Sequence, residues 1–342
     1  YGLRYDLQKI MDLLGSQQFD VSFELATKEA ATLPKSLSKL YGRTKEIEKI
    51  TSVYKKVEAG EKQLIYIKGF SGSGKSAMVH SLVQSTFAQN GYYLEYKFDP
   101  LKQQQTLNPI INLIRQLLNQ IYLEGNKSIK AFRQQMIANN LIVMHSLIKL
   151  FPELEWFLND EISVSKEMND YTLQQNAYIF SSLKIFMDIF AKNKTPITMF
   201  IDDVHLIQKS TLETLERLFA QHSSGYFLLI VAERTEQEYS NDAIKQWIEA
   251  VPEVNTIALP LLSKETVIEI VSDTLNEHSS VIDDFAEQLY RLTQGNALFI
   301  HEAFKMYLYN RTIYFDMNKE KWRYNQRLLK KNFEATGLIH FI

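Results

Sequence analysis

The stretch Gly69-Phe70-Ser71-Gly72-Ser73-Gly74-Lys75-Ser76 fits the pattern G-x-x-x-x-G-K-[ST]. A loop of this kind cradles phosphate. Its backbone N–H groups converge on phosphate oxygens, and glycines at 69, 72 and 74 leave the room that a Cβ would fill. The helix that follows points its positive N-terminal end at the same anion. In this chemistry Lys75 reaches the β- and γ-phosphates and the Ser76 hydroxyl ligates Mg²⁺, with Ser71, Ser73 and Ala77 in the same phosphate-binding set. The alternative is a Gly/Ser-rich turn that matches by chance. A strand before the loop and a helix after it argue against chance.

A second group of residues complements the first. In "PITMFIDDV" (196–204) an apolar run leads to two acids. Asp202, at the carboxyl end of that strand, is placed to hold Mg²⁺ through water, and Asp203 to orient or activate an attacking water. Two acids after a strand can also simply cap the next helix. Arg234 leaves the carboxyl end of "GYFLLIVAER" (225–234), where ligands bind in α/β sheets. There it can touch a γ-phosphate and report hydrolysis. The competing reading is a surface arginine paired with Glu233 or Glu236. His205, just after the acids, reads as a helix-start or supporting residue rather than a catalytic one. The seven histidines show no metal-ligand spacing.

The elements that must position these groups are legible from periodicity. "TKEIEKITSVYKKVEAG" (44–60) is an amphipathic helix with Ile47, Ile50, Val53, Tyr54 and Val57 on one face. "QLIYIKG" (63–69) is a buried strand running into the phosphate loop, and "SAMVHSLVQSTFAQNG" continues as a helix. "YYLEYKF" (92–98), the 196–207 segment, 225–236 and 254–262 supply four more strands, with a helix over 210–222. Residues 107–194 read as a long helical insertion, and 263–310 as three helices before a hairpin over 312–325. Strands alternating with helices predict a three-layer αβα parallel sheet followed by a small C-terminal helical subdomain. In this branch of phosphate-loop proteins the 225–234 strand lies between the loop strand and the metal strand.

Composition narrows the class. Of 342 residues, 45% are hydrophobic and 23% charged, and the net charge is −2, so there is no basic footprint for nucleic acid. No cysteine is present, which excludes disulfides, thiolate metal sites and a cysteine nucleophile and fits a cytoplasmic protein. No apolar run approaches the about 18 residues of a membrane span. The 18 tyrosines and 20 phenylalanines recur at helix and strand spacing and read as core. The chain begins at Tyr1 rather than Met and reads as an internal piece of a longer protein. Expected divisions are a helix and linker over 1–38, an ATPase core over 39–260 with an insertion at about 105–194, and a helical lid with a hairpin over 261–342.

Further stretches carry a resemblance. "KLYGRTKEIEKI" (39–50) resembles the GR-x-x-E box of AAA-type ATPase modules, which implies that Leu40, Tyr41, Gly42 and Arg43 line an adenine pocket. "DDVHLIQKSTLETLERL" is similar to the DD-x-x-W-A-D segment of the STAND class of signal-transduction ATPases, with Leu206 and Gln208 in place of Trp and Asp. "LTQGNALFIHEAF" (292–304) resembles that class's G-N-P-x-F segment, which implies nucleotide contacts for Asn296 and for Ala297, the latter standing where a proline is expected. The order of "YGLRYDLQKIMDLLG", "YGR", "YKFDP" and the closing hairpin is similar to the ATPase module of large Ser/Thr-kinase–ATPase–GAF–histidine-kinase proteins. The resemblance implies an ASCE-type P-loop NTPase fold, ATP or ADP with Mg²⁺ as cofactors, and flanking kinase-like and sensor domains as partners. It also implies nucleotide-dependent self-association.

Three functions remain open at this point. One is a slowly hydrolysing ATP switch, with nucleotide held between the sheet and helical domains. The second is a ring-forming AAA+ motor or DNA loader, for which Arg234 and Arg217 are the candidate interface arginines. The third is a small-molecule kinase with 107–194 as its lid, where only Arg115 and Arg133 could clamp phosphates. The Asn/Thr-Lys-x-Asp guanine box is absent, which favours ATP over GTP.

Overall fold

The computed structural model describes residues 2–16, 39–89, 91–99, 108–138, 148, 151, 153–154, 175–221, 225–236, 241–275, 280–316 and 321–329. The expected linker before Lys39, most of the insertion between 139 and 174 including His145, and the tip of the terminal hairpin lie outside them. The chain divides into two compact units, Arg43–Pro260 and the pair of segments Tyr1–Gly42 and Leu261–Ile342.

The larger unit is built on five parallel strands: β1 (Lys62–Gly69), β2 (Tyr92–Lys97), β3 (Ile197–Asp202), β4 (Phe227–Arg234) and β5 (Val254–Leu259). Their order is β2-β3-β4-β1-β5, so β4 separates the loop strand from the acid strand as expected. The central strands read as unbroken apolar runs because both sheet faces are covered. Alternate residues serve opposite faces. Leu64, Tyr66, Met199, Ile201, Leu229 and Val231 pack with helices α4 (Asn108–Leu123), α6 (Gln175–Lys192) and α7 (Lys209–Gln221). Ile65, Ile67, Phe200, Leu228 and Ile230 face helices α2 (Thr44–Glu58) and α3 (Lys75–Leu82). Helices α5 (Asn126–Ala138) and α8 (Asp242–Ala250) belong to the same unit. This is an α/β P-loop NTPase fold.

The helix after the phosphate loop is shorter than its sequence pattern suggests. Past Leu82 it opens into a π turn, Val83–Phe87, closed by Ala88 N–H donating to the Val83 carbonyl. The Ser81 hydroxyl, which donates to the Met78 carbonyl at 2.7 Å, competes for the α-helical ladder just before it. The turn delivers Phe87 to the core, edge-on to Tyr54 and stacked on Tyr93. The fifth strand ends at Leu259, short of the expected residue 262, because Pro260 cannot donate to the ladder.

The second unit holds helix α1 (Gly2–Gly15), helices α9 (Lys264–Leu275), α10 (Ser280–Thr293) and α11 (Ala297–Tyr309), and an antiparallel hairpin of β6 (Ile313–Asp316) and β7 (Lys321–Tyr324). Val267, Val271, Phe285, Leu289, Phe304 and Tyr307 form its own core. Among the described residues no helix is long and apolar enough to cross a membrane.

Candidate functional site

The register of the sheet brings the chemistry to one edge. Gly69 lies beside Arg234 on β4, and Asp202 beside Lys97 on β2, all at the carboxyl ends of their strands. The phosphate loop leaves β1 there. Gly72 and Gly74 take φ of +75° and +96°, conformations that a side chain rarely tolerates, and Gly74 caps α3. Phe70 is half exposed, whereas Ser73 and Lys75 are buried. Lys75 Nζ donates to the carbonyls of Gly69 and Phe70, at 2.7 and 2.9 Å. Burial lowers its pKa, and the nearby charges of Asp202, Asp203 and Glu236 pull the other way. A buried ammonium folded back on its own loop is stocked with donors for an anion.

Ser76 and Asp202 meet directly. The hydroxyl donates to the Asp202 carboxylate at 2.6 Å. Asp202 also accepts from the Asp203 backbone N–H, at 2.9 Å. Two hard oxygen donors side by side at the start of α3 are of the kind that would suit Mg²⁺. Among the described residues no group of three or more His, Asp or Glu could hold a metal by itself.

Asp203 has a left-handed backbone, φ 53° and ψ 42°, at the start of a 3₁₀ turn over Val204–Leu206. Aspartate tolerates that region better than most residues. The turn directs its side chain back over the strand ends. There Arg234 Nε and Nη2 bind both carboxylate oxygens, and Lys97 Nζ lies 3.4 Å away. Burial alone would raise the Asp203 pKa, but the Arg234 fork and Lys97 outweigh it and hold the carboxyl below its ordinary range. Arg234 thus binds Asp203 across the sheet, while Glu233 is buried and accepts from the Tyr66 hydroxyl. His205 is buried in the turn, and its carbonyl accepts from Asn241 Nδ2.

Arg43 is buried within the same unit. Its guanidinium donates to the Ser73 carbonyl of the phosphate loop at 3.0 Å and to the Pro260 carbonyl at 2.7 Å. Ala77 follows on the exposed side of α3. The other predicted residues belong to the second unit. The Tyr41 hydroxyl donates to Asp273, which also pairs with Lys39. Leu40 is half-buried, and Gly42 has φ of +63° close to Thr266. Asn296 caps α11, accepting from the N–H groups of Leu298 and Phe299, and Ala297 begins that helix.

Two charged residues were not assigned to the site from the sequence: Lys97, and Glu236, which the sequence offered only as a partner for Arg234. Lys97 was signalled by its place at the end of a strand feeding the same crevice. Glu236 carried no motif, and only the path of the chain after β4 reveals it.

With this geometry in place, the chain can be assigned. A profile of the AAA ATPase domain matches residues 39–231, more than half of the sequence, and the chain belongs to that nucleotide-binding family. It is 22% identical over 60% of its length to hybrid signal transduction histidine kinase G of Dictyostelium discoideum. It is 20% identical over 77% of its length to the peroxide stress-activated histidine kinase mak3 of Schizosaccharomyces pombe. The chain spans only 6% and 13% of the lengths of these two relatives. In structure it is similar to the Aeropyrum pernix ORC2 protein, described in ADPNP–ADP complexes. The TM-score is 0.51 at 13% identity, over 90% of this chain and 70% of that one, a likeness of fold alone.

Proposed function

We propose that this chain is an ATP-binding, slowly hydrolysing switch module of the STAND type within a multidomain signalling protein. The observation that carries the proposal is the state of Asp203: beside a complete phosphate loop, the carboxylate suited to activate water is gripped by Arg234 and faced by Lys97. A carboxylate bound on both oxygens, with a lowered proton affinity, is a poor general base. Turnover waits on its release, which suits a switch better than a motor. The small share of the two histidine kinases that this chain matches supports a module among other domains.

In this reading the phosphate loop binds the β- and γ-phosphates through its N–H groups and Lys75 turns from its loop carbonyls to the phosphates. Ser76 and Asp202 hold Mg²⁺, which when bound neutralises phosphate charge. Asp203 orients water once Arg234 exchanges its carboxylate for a γ-phosphate oxygen.

The test is identification of the co-purifying nucleotide by mass, then binding and turnover by the isolated chain. Adenine nucleotide with turnover below about 1 s⁻¹ is expected. Lys75→Ala, which removes the cation of a buried phosphate site, is expected to weaken binding at least about a hundredfold. Equal affinity in Lys75→Ala, or multi-turnover rates typical of a motor, would overturn the proposal.

A further inference from the structure

Glu236 sits where the phosphate loop is built to receive an anion. It lies two residues beyond the end of β4, and its Oε1 accepts a hydrogen bond from the Ser71 backbone N–H at 2.7 Å. Its Oε2 is buried and has no hydrogen-bond partner among the described residues. The side chain is near enough for its charge to raise the proton affinity of both Lys75 and His205.

An ordinary loop carboxylate bonds one N–H and leaves its other oxygen in water. Here that oxygen is shut away unpaired, an arrangement that costs free energy. Convergent loop N–H groups and a buried lysine favour negative charge, and a carboxylate answers that demand when phosphate does not. A nucleotide brings several negative charges to the same loop, and Glu236 is then repelled at close range.

We infer that Glu236 is an intramolecular substitute for phosphate: its carboxylate takes the Ser71 N–H at the edge of the loop and is displaced when the phosphates of a nucleotide bind. The inference rests on the nucleotide-site reading above. It adds a consequence for turnover. Arg234 lies two residues upstream on the same strand exit, so the movement that removes Glu236 from Ser71 also disturbs the grip on Asp203. Nucleotide arrival and release of the water-activating carboxylate become one event.

Glu236→Gln keeps the shape of the side chain and removes its charge; Glu236→Ala removes the side chain. Dissociation constants for ADP and ATP, measured by calorimetry on nucleotide-free protein, are expected to fall about tenfold or more in both variants. Glu249→Gln, an exposed position on α8, is the control and is expected to match the wild type. If the wild type binds nucleotide and neither Glu236 variant binds more tightly, the displacement is overturned and the nucleotide site stands. If wild type and variants alike fail to bind, the nucleotide site itself is overturned, and the displacement with it. Should both variants fold poorly, amide exchange at residues 234–236 of the wild type decides the matter. Faster exchange with ADP supports displacement, and unchanged or slower exchange overturns it.

Discussion

Arg234 holds Asp203 with both arms of its fork: Nε donates to one carboxylate oxygen at 2.8 Å and Nη2 to the other at 3.0 Å. The pair spans neighbouring strands of the sheet, and Asp203 is almost fully buried. Bidentate pairing in a partly buried site is among the stronger polar contacts. It also fixes a left-handed aspartate that would otherwise relax. A double-mutant cycle on Arg234→Ala and Asp203→Asn, measured by urea unfolding, should give a coupling of about 1–3 kcal/mol. In the same proteins, Asp203→Asn should keep nucleotide binding and lower turnover by about 10²-fold or more. Unchanged turnover in Asp203→Asn would remove Asp203 from its role.

His205 gives the fold a pH dependence of definite sign. Burial lowers its imidazole below the ordinary value of 6.5, Asp203 and Glu236 draw it upward, and Arg234 and Lys75 push it down. The unfolded chain therefore binds this proton more tightly than the folded one, so stability rises with pH across the window. The contribution is complete above pH of about 6.5 and is lost as pH falls from there toward the depressed value. Urea midpoints of the wild type should decline between pH 7 and 5, and His205→Gln should flatten that decline. An equal decline in the variant would place the titrating group elsewhere.

The phosphate loop and the acid strand were legible because each is a short local pattern with a backbone reason, whereas the place of β4 came from the resemblance to phosphate-loop proteins. Ile197–Asp202 is buried at every position, and its apolar run says so directly. The pairing of Arg234 was not legible. Glu233 and Glu236 are its neighbours in sequence, yet the guanidinium reaches across the sheet to Asp203, because strand register and not sequence distance sets what meets at the carboxyl ends. Lys97 had a signal in its place at a strand end, but its approach to Asp203 again depends on register. Arg43 entered the reading by resemblance as part of an adenine pocket. Its guanidinium braces the carbonyls of Ser73 and Pro260, a use of arginine that leaves no trace in spacing.

Gly295 illustrates a motif residue with a folding reason of its own. Its φ is +76°, and a Cβ there would lie 2.0 Å from the Leu262 carbonyl oxygen, while Leu262 N–H donates to the Gly295 carbonyl at 2.8 Å. Backbone stands in the way, so no side-chain adjustment relieves the clash. Gly295→Ala should destabilise the chain by about 2–4 kcal/mol. Asn296→Ala, which removes only the cap of α11, should cost about 1 kcal/mol. Chemical denaturation of the two variants, compared with the wild type, checks both magnitudes; equal losses would mean that the cap, not the backbone, governs the segment.

Arg43 joins the phosphate loop to the end of the sheet unit through the carbonyls of Ser73 and Pro260. Both lie at points of leverage: Ser73 is inside the cradle, and Pro260 is the last residue before the chain leaves the unit. Burial lowers the guanidinium's pKa, but arginine remains charged at any working pH. Arg43→Ala strips a charged donor from two carbonyls and should cost about 3 kcal/mol. Arg43→Lys keeps the charge, but its shorter side chain must bring an ammonium to the place where Nη2 of the arginine reaches both carbonyls. Its stability should recover only in part, and nucleotide affinity should stay several-fold below the wild type because Ser73 is no longer held. Full recovery of both stability and affinity in Arg43→Lys would show that charge alone matters and that the brace does not shape the loop.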